Sequence, residues 1–354
     1  MSETAKTAAA FGAGPMGKSG AAGPAKLLAA LRRGIVFEND GAVLSDIGDG
    51  ILCFEHKTKM NIYDENVFAA IGAALAETPK AFRALVFAND HPRAFSCGAD
   101  LGYFLGLMKA GDYGAIDAFL VSGQERFLAL KYAPFRVVAA ARGLALGGGC
   151  ETLLHMHEVV AHTELSAGLP ESTLGILPGW GGCTQLILRW REKDHGVETP
   201  ADALAGPFSA ILGGRFSGTA RNAIAMGFLR PTDPVVASGA QAIAGAKARA
   251  IERAKAGAAP PAPEVLHLPG LAGKAALMSG AQRDAAPGRL TANDLAVADA
   301  LATILTGGAT DPLTPMSQRQ VMALEREATI ALAHRPATFE RIEHMLATGK
   351  PLRN

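Results

Sequence analysis

Cysteine is scarce in this chain of 354 residues, and the four cysteines lack CxxC spacing. They are Cys53, Cys97, Cys150 and Cys183. Free thiols in a reducing compartment are the simplest account of them. An excess of either charge is also lacking, and the formal net charge of +1 provides no broad attraction to nucleic acid or anionic membranes. No apolar run approaches the roughly 20 residues that span a bilayer, and no signal-peptide core opens the chain. We therefore expect a cytoplasmic protein without a nucleic-acid or membrane partner.

Residues 143–182 form a glycine-rich stretch that contains two glutamates, Glu151 and Glu171. Gly147 and Gly148 precede an apolar run that predicts the start of a helix, where bare N–H groups can approach a ligand because no Cβ blocks them. A side chain added at Gly148 would then stand where the ligand approaches. Glu151 follows Gly148 by three residues, so both project on one side of the helix. This pattern favours a site that moves protons while negative charge builds on a carbonyl oxygen.

A second glycine turn lies upstream, at residues 95–101, with the sequence FSCGADL. The apolar run at residues 84–88 predicts a buried strand that leads to this turn. With both turns in view, the chain resembles the crotonase family of enoyl-CoA hydratases and isomerases, over about residues 43–235. The matching segments are CGADL, ALGGGCE, PESTLGILPGWGG and GGRFSGTARNAIAMGFL. The resemblance implies an α/β fold, the crotonase-like ββα spiral, with a helical C-terminal region.

The resemblance also implies roles for individual residues. Ala99 and Gly148 match the two N–H donors of the family's oxyanion hole. Glu151 and Glu171 match the catalytic carboxylates, and we assign water activation to Glu151 and proton delivery to Glu171. The remaining substrate-binding positions are Gly98, Asp100, Leu101, Gly147, Gly179 near the water or product hydroxyl, and Lys59 in the segment where the family wraps CoA.

Together these features predict an enoyl-CoA hydratase of fatty-acid β-oxidation that binds an acyl-CoA thioester. No separate cofactor is expected, because CoA is part of the substrate. A Δ3-Δ2-enoyl-CoA isomerase is the nearest alternative, and it would need chiefly Glu171. A non-catalytic acyl-CoA-binding or RNA-binding member is a second alternative. The plainest alternative makes both glutamates solvated residues at helix ends, but their combination with two glycine turns favours catalysis.

Three further features of the sequence do not require a functional role. His155, His157 and His162 lie near Glu151, but the HExxxH spacing differs from the HExxH zinc motif, so no metal is expected. Residues 12–17, GAGPMG, match GxGxxG without a preceding strand, and we interpret them as tail sequence. Trp180 fits equally an acyl cavity wall and a packed core.

The chain divides into three predicted regions. Residues 1–34 form a flexible segment that contains a short helix, residues 35–235 form the catalytic core with a hairpin at 43–55, and residues 236–354 are mainly helical after a linker at 256–263. Helices are predicted to begin near Thr291, at Gln318 and at Pro336. The last residues resemble the end of bacterial fused 3-hydroxyacyl-CoA dehydrogenase/enoyl-CoA hydratase proteins. This resemblance and the lack of a dinucleotide domain predict a separate 3-hydroxyacyl-CoA dehydrogenase partner. A homo-oligomer is expected because the family commonly forms trimers or paired trimers.

Overall fold

A computed structural model describes residues 27–192, 200–257, 261–285 and 290–354. The GxGxxG match at 12–17 and most of the predicted flexible segment lie outside the described residues, as do residues 258–260 of the predicted linker. In the described part, the first helix covers Leu27–Leu31, and its Leu28 is buried.

The described strands form two main sheets and a small two-stranded ribbon. Their bounds are β1 Gly34–Glu38, β2 Ala42–Asp46, β3 Ile51–His56, β4 Ala84–Phe87, β5 Ala94–Ser96, β6 Arg136–Ala141, β7 Leu144–Leu146, β8 Glu158–His162, β9 Ser166–Gly168, β10 Val235–Val236, β11 Val265–Leu266 and β12 Met316–Ser317. The large sheet has the order β1-β2-β3-β4-β6-β8-β10, antiparallel from β1 to β3 and parallel from β3 onward. The second sheet, β5-β7-β9, is wholly parallel.

Helices cover both sheets and most of the C-terminal region. Their bounds are α1 Leu27–Leu31, α2 Glu65–Ala81, α3 Leu101–Ala110, α4 Tyr113–Lys131, α5 Gly148–His155, α6 Gly182–Glu192, α7 Pro200–Leu212, α8 Ala220–Met226, α9 Gly239–Lys255, α10 Gly270–Ala285, α11 Ala292–Thr306, α12 Gln318–Ala333 and α13 Pro336–Thr348. Short 3-10 helices cover Lys59–Asn61 and Glu171–Leu174. No helix among the described residues is long and apolar enough to cross a membrane.

The chain repeats one unit, in which a large-sheet strand is followed by a small-sheet strand and a helix. The units are β4-β5-α3, β6-β7-α5 and β8-β9 with the second 3-10 helix. This repeat is the ββα spiral of the crotonase fold, and it confirms the predicted fold class. Because β5, β7 and β9 are parallel, their carboxyl ends meet at one edge, where ligands bind in open α/β sheets.

Local sequence signals account for several of these elements. The hairpin of β2 and β3 is confirmed, with positive φ at Asp49 and its glycine neighbours in the turn. Thr291 and Ser317 each form a capping box, at the start of α11 and α12. Pro336 opens α13, as predicted.

One hydrophobic core continues from the sheets into the C-terminal helices. Leu301, Val321 and Ile342 are fully buried in the same cluster as Phe87 and Val137 of the large sheet. The C-terminal helices therefore pack against helices of the spiral: α12 contacts α4 and α6, and α13 contacts α3.

Candidate active site

A cavity of about 70 Å³ lies at the carboxyl ends of β5, β7 and β9. Residues that follow each of these strands line it, among them Gly98 and Ala99 after β5. Gly147 and Gly148 follow β7, and Glu171 follows β9. The rest of the wall is largely apolar and comes from α3, α4, the second 3-10 helix and the segment after it, through Leu101, Phe104, Phe119, Leu120, Leu174, Ile176 and Leu177.

The two glycine turns predicted from the sequence lie against each other. A Cβ built on Gly98 would stand 3.0 Å from the Gly148 nitrogen, and Gly98 has a φ of 83°, which favours glycine. Within the described residues, no hydrogen-bond acceptor contacts the Ala99 N–H or the Gly148 N–H. Gly148 opens α5, so its N–H also lies at the positive end of that helix. The cavity thus has two neighbouring backbone donors free for a ligand.

Glu151 is buried on α5 and is held by the start of α6. Its Oε1 accepts hydrogen bonds from the Trp180 and Gly182 N–H groups, each at 2.8 Å. Burial raises the pKa of Glu151, the nearby Glu171 and Glu325 carboxylates raise it further, and the two N–H donors oppose the rise. Among the influences on Glu151, these two hydrogen bonds are the ones that favour its ionised form.

Glu171 begins the second 3-10 helix and faces the Gly147 turn. A Cβ on Gly147 would stand 2.9 Å from Glu171 Oε1, so only glycine fits there without displacing the carboxyl group. Glu171 Oε2 is buried and has no hydrogen-bond partner among the described residues. Burial raises the pKa of Glu171 to about 8, with a further contribution from Glu325. The pKa values of both glutamates are raised, so the unpartnered buried oxygen is the feature that favours Glu171 as the protonated member of the pair.

Trp180 is both a wall of this cavity and part of the packed core, so the two interpretations of its role are compatible. Its ring makes edge contacts with the rings of Tyr63, Phe68, Phe119 and Phe127. A Cβ on Gly148 would stand 2.3 Å from this ring rather than in open cavity. The indole therefore gives a reason for glycine at 148 that the sequence did not reveal, in addition to the predicted approach of a ligand.

The structure places most of the predicted site residues on the cavity, but not all of them. Gly179 lines it, and within the described residues its N–H has no acceptor, while its carbonyl accepts from Gln124 Nε2 at 2.8 Å. Asp100 instead caps α3 by accepting from two backbone N–H groups, and it lines only a smaller neighbouring cavity. Lys59 is exposed on the first 3-10 helix and lines neither cavity.

Two residues of α12 belong to the site although the sequence interpretation did not include them. Thr329 lines the cavity and donates to the Leu177 carbonyl at 3.1 Å. Glu325 is buried beside the two predicted glutamates. It stands four residues after buried Val321, on a helix face where the pattern calls for an apolar residue. A charged residue in an apolar stripe was the signal that could have identified it.

The histidine cluster has structural partners. His157 accepts from the Val137 N–H and contacts the Lys131 carbonyl at 2.8 Å, and His155 Nδ1 contacts the Glu151 carbonyl at 2.7 Å. Over the described ranges, no group of three or more His, Cys, Asp or Glu side chains could hold a metal ion.

The fold and the cavity define a class of protein, an α/β spiral whose cavity combines two carboxyl groups with free backbone N–H donors. Residues 50–190 match the family model described as enoyl-CoA hydratase/isomerase, and the chain carries a domain of this crotonase family. It is similar to a Bacillus subtilis protein named "probable 3-hydroxyacyl-CoA dehydrogenase", with 31% identity over 91% of this chain and 40% of that protein.

Two other relatives extend the comparison. A Rickettsia felis protein, by its name a candidate trifunctional enzyme of the fatty acid oxidation complex, is 39% identical over 44% of this chain and 21% of that protein. The chain thus spans two fifths or less of the length of these curated relatives. A solved enoyl-CoA hydratase from Bacillus halodurans superposes with a TM-score of 0.57 at 17% identity, covering 85% of this chain and 98% of that one. Identity this low supports the fold alone.

Proposed function

We propose that this protein is a hydratase of 2-enoyl-CoA thioesters. One observation carries the proposal: Glu151, Glu171 and the free N–H groups of Ala99 and Gly148 line one cavity. Hydration of a conjugated thioester places negative charge on the carbonyl oxygen, and two aligned N–H donors in a dry cavity stabilise that charge by several kcal/mol. The same reaction needs one group that accepts a proton and another that donates one.

In the proposed reaction, Glu151 accepts one proton and Glu171 donates one, so the two glutamates together gain and lose no proton. Ionised Glu151 accepts a proton from water while the water oxygen forms a bond to C3 of the substrate. The electrons of the C2–C3 double bond move toward the thioester carbonyl, and C2 then takes the proton of Glu171. The free Gly179 N–H is suitably placed to bind the water or the new hydroxyl group. After product release, a proton passes from Glu151 back to Glu171 by way of solvent.

Glu151 and Glu171 suit these different roles because their hydrogen bonds differ. Glu151 has two N–H donors that favour the anion, whereas Glu171 has a buried oxygen without a partner. Two neighbouring carboxyl groups that share one proton can supply both an acid and a base at neutral pH. Because the two groups interact, the pair titrates as a unit.

The direct test is hydration of crotonyl-CoA, followed by the loss of absorbance of the conjugated thioester. Glu151→Gln and Glu171→Gln should each lower kcat by at least about a hundredfold, because an amide keeps the shape but cannot exchange the proton. Affinity for the saturated thioester butyryl-CoA should survive both changes. The double variant should be little worse than either single one.

Measurements on the same two variants can also contradict the mechanism. Near-normal turnover of a variant would remove that glutamate from the reaction. Binding of butyryl-CoA without turnover of any enoyl-CoA by the unmodified protein would instead support a non-catalytic acyl-CoA-binding role.

An isomerase of 3-enoyl-CoA thioesters is the second candidate, and the unpartnered Glu171 oxygen favours it. One carboxyl group that moves a proton between C4 and C2 would suffice for isomerisation. If the protein has this activity separately, Glu151→Gln should retain conversion of 3-enoyl-CoA to 2-enoyl-CoA while hydration is lost. Equal loss of the two activities would argue against a separable isomerase.

We further propose that the hydroxyacyl product passes to a 3-hydroxyacyl-CoA dehydrogenase in β-oxidation. The name of the Bacillus subtilis relative supports this pairing, since this chain covers only 40% of that protein. Co-elution of the two proteins on gel filtration is expected, and separate elution at micromolar concentration would count against a stable complex. The same experiment measures whether this chain forms the predicted homo-oligomer.

A further inference from the structure

A third buried carboxyl group, Glu325, binds the same helix end as Glu151. Its Oε2 accepts from the Gly181 N–H at 2.7 Å. Its Oε1 accepts from the Thr184 N–H at 2.7 Å and from the Thr184 hydroxyl at 2.6 Å. Glu325 comes from α12, far along the chain from the two glutamates of the spiral, and its side chain is fully buried.

The N–H groups at the start of α6 are divided between two carboxyl groups. Trp180 and Gly182 donate to Glu151, whereas Gly181 donates to Glu325. The first N–H groups of a helix have no partner within the helix, so these side chains satisfy donors that would otherwise be buried alone. Because the donors alternate along one short segment, the hydrogen bond of Glu325 to Gly181 and those of Glu151 to Trp180 and Gly182 hold the same piece of backbone.

Acidic groups lie near Glu325, and within the described residues no positively charged side chain shifts its pKa. Glu325 interacts electrostatically with Glu151 of α5, Glu171 of the second 3-10 helix and Cys183 of α6. The His155 ring lies beside Gly181. Burial lowers the pKa of His155 to about 3, so this ring is neutral. Gln124 of α4 binds the Met322 carbonyl one turn before Glu325 with its neutral amide.

We propose that Glu325 is a positioning residue for the reaction proposed above: it fixes the helix end that orients Glu151, and its negative charge opposes ionisation of the Glu151–Glu171 pair. Burial raises the pKa of Glu325 itself to about 7, and its charge in turn raises the pKa of Glu151 and Glu171. The inference rests on the proposed function, because the reaction needs one glutamate of the pair to keep its proton at neutral pH.

The test compares Glu325→Gln and Glu325→Asp with the control Glu327→Gln, which changes an exposed glutamate on the same helix. In Glu325→Gln, the amide NH₂ meets an N–H donor and the charge is lost. We expect kcat with crotonyl-CoA to fall about tenfold to a hundredfold, with KM changed less than about threefold. The alkaline limb of the pH–rate profile should move to lower pH, because removing a negative charge lowers the pKa values of the pair.

The aspartate variant separates positioning from charge. Its carboxylate keeps the charge but is one methylene too short to reach both Gly181 and Thr184, so kcat should fall while the alkaline limb stays in place. Glu327→Gln should match the unmodified protein in both measurements. Unchanged kcat and an unchanged pH profile in Glu325→Gln would overturn the proposal. If that variant does not show cooperative unfolding, unchanged kcat in Glu325→Asp would overturn it.

Infrared titration of buried carboxyl groups tests the electrostatic role of Glu325 without a measurement of turnover. Bands of protonated carboxyl groups are followed with pH in the unmodified protein and in Glu325→Gln. The variant should lose one buried carboxyl group that titrates near neutral pH, and the remaining bands should disappear at lower pH. If the protein does not hydrate crotonyl-CoA, the proposed function fails, yet this shift still supports the electrostatic role of Glu325. Identical titrations of the remaining bands in both proteins would overturn that role.

Discussion

A methyl group added to Gly148 would stand 2.3 Å from the Trp180 ring, which neighbouring rings hold in place. Gly148→Ala should therefore lower the free energy of unfolding by about 1–3 kcal/mol, the usual cost of overpacking. Gly106→Ala is a matched control, because Gly106 lies inside α3 with no atom within 4 Å of a new Cβ. That change should raise the free energy of unfolding by about 0.5–1 kcal/mol. Both are measured by urea denaturation.

The pair Gly148→Ala and Trp180→Leu tests the contact itself. The smaller leucine side chain should relieve the overlap, so the double variant should be more stable than the sum of the single effects predicts. Additive effects would show that the indole is not what excludes a side chain at 148. Gly148→Ala and the double variant both retain the Gly148 N–H, so a loss of activity in them would come from the altered packing and not from loss of this donor.

At the scale of elements, the first 3-10 helix supports the turn that carries the Ala99 donor. Cys97 donates its N–H to the Met60 carbonyl, and Tyr63 donates its N–H to the Gly98 carbonyl. Buried Asn61 donates from Nδ2 to the carbonyls of Ala94 and Phe95, each at 3.0 Å. This segment therefore fixes the end of β5 and the glycine turn that follows it.

Asn61→Ala should weaken both the fold and the site. It removes two buried hydrogen bonds and places alanine at a φ of 57°, so we expect a loss of about 2–4 kcal/mol in the free energy of unfolding. Asn61→Gly loses the same hydrogen bonds but adopts this φ freely, and it should be less affected by about 1 kcal/mol. Urea denaturation gives the stabilities, and kcat/KM with crotonyl-CoA should fall in both variants. Wild-type stability of Asn61→Ala would contradict this account of β5.

For the whole molecule, three buried carboxyl groups in one cluster make stability depend on pH. The pKa is raised from the ordinary 4.5 to about 8 for Glu171 and to about 7 for Glu325, so the folded protein binds these protons more tightly than the unfolded chain. The stability that protonation contributes is complete below the unfolded pKa. It is lost as the pH rises through about 7 and about 8.

The free energy of unfolding should therefore decrease between about pH 5 and about pH 9. Glu171→Gln should show a shallower decrease over this range, because the amide has no proton to lose. Glu327→Gln, which changes an exposed side chain, should keep the slope of the unmodified protein. Equal slopes for Glu171→Gln and the unmodified protein would show that Glu171 ionises in the folded state as easily as in water.

The local features of this protein follow from short stretches of its sequence. Glycine turns after short apolar runs, the helix cap at Thr291, and strand–helix alternation depend on neighbouring residues, so they were predicted correctly. The spacing of Glu151 and Glu171 also placed both on the cavity, since each directly follows a small-sheet strand and its turn.

Contacts between residues far apart in the chain could not be predicted from the sequence, because they depend on how helices and sheets pack. Glu325 lies on a helix whose sequence pattern predicts burial, but only packing of α12 against α6 brings its carboxyl group to the Gly181 N–H. The need for glycine at 148 likewise comes from the Trp180 ring, 32 residues farther along the chain, and not from the turn itself. Lys59 and Asp100 were predicted to bind substrate, but the structure places neither on the cavity. Lys59 is exposed to solvent, and Asp100 caps α3. Contacts of this kind depend on how layers pack, and that information is distributed over the whole chain.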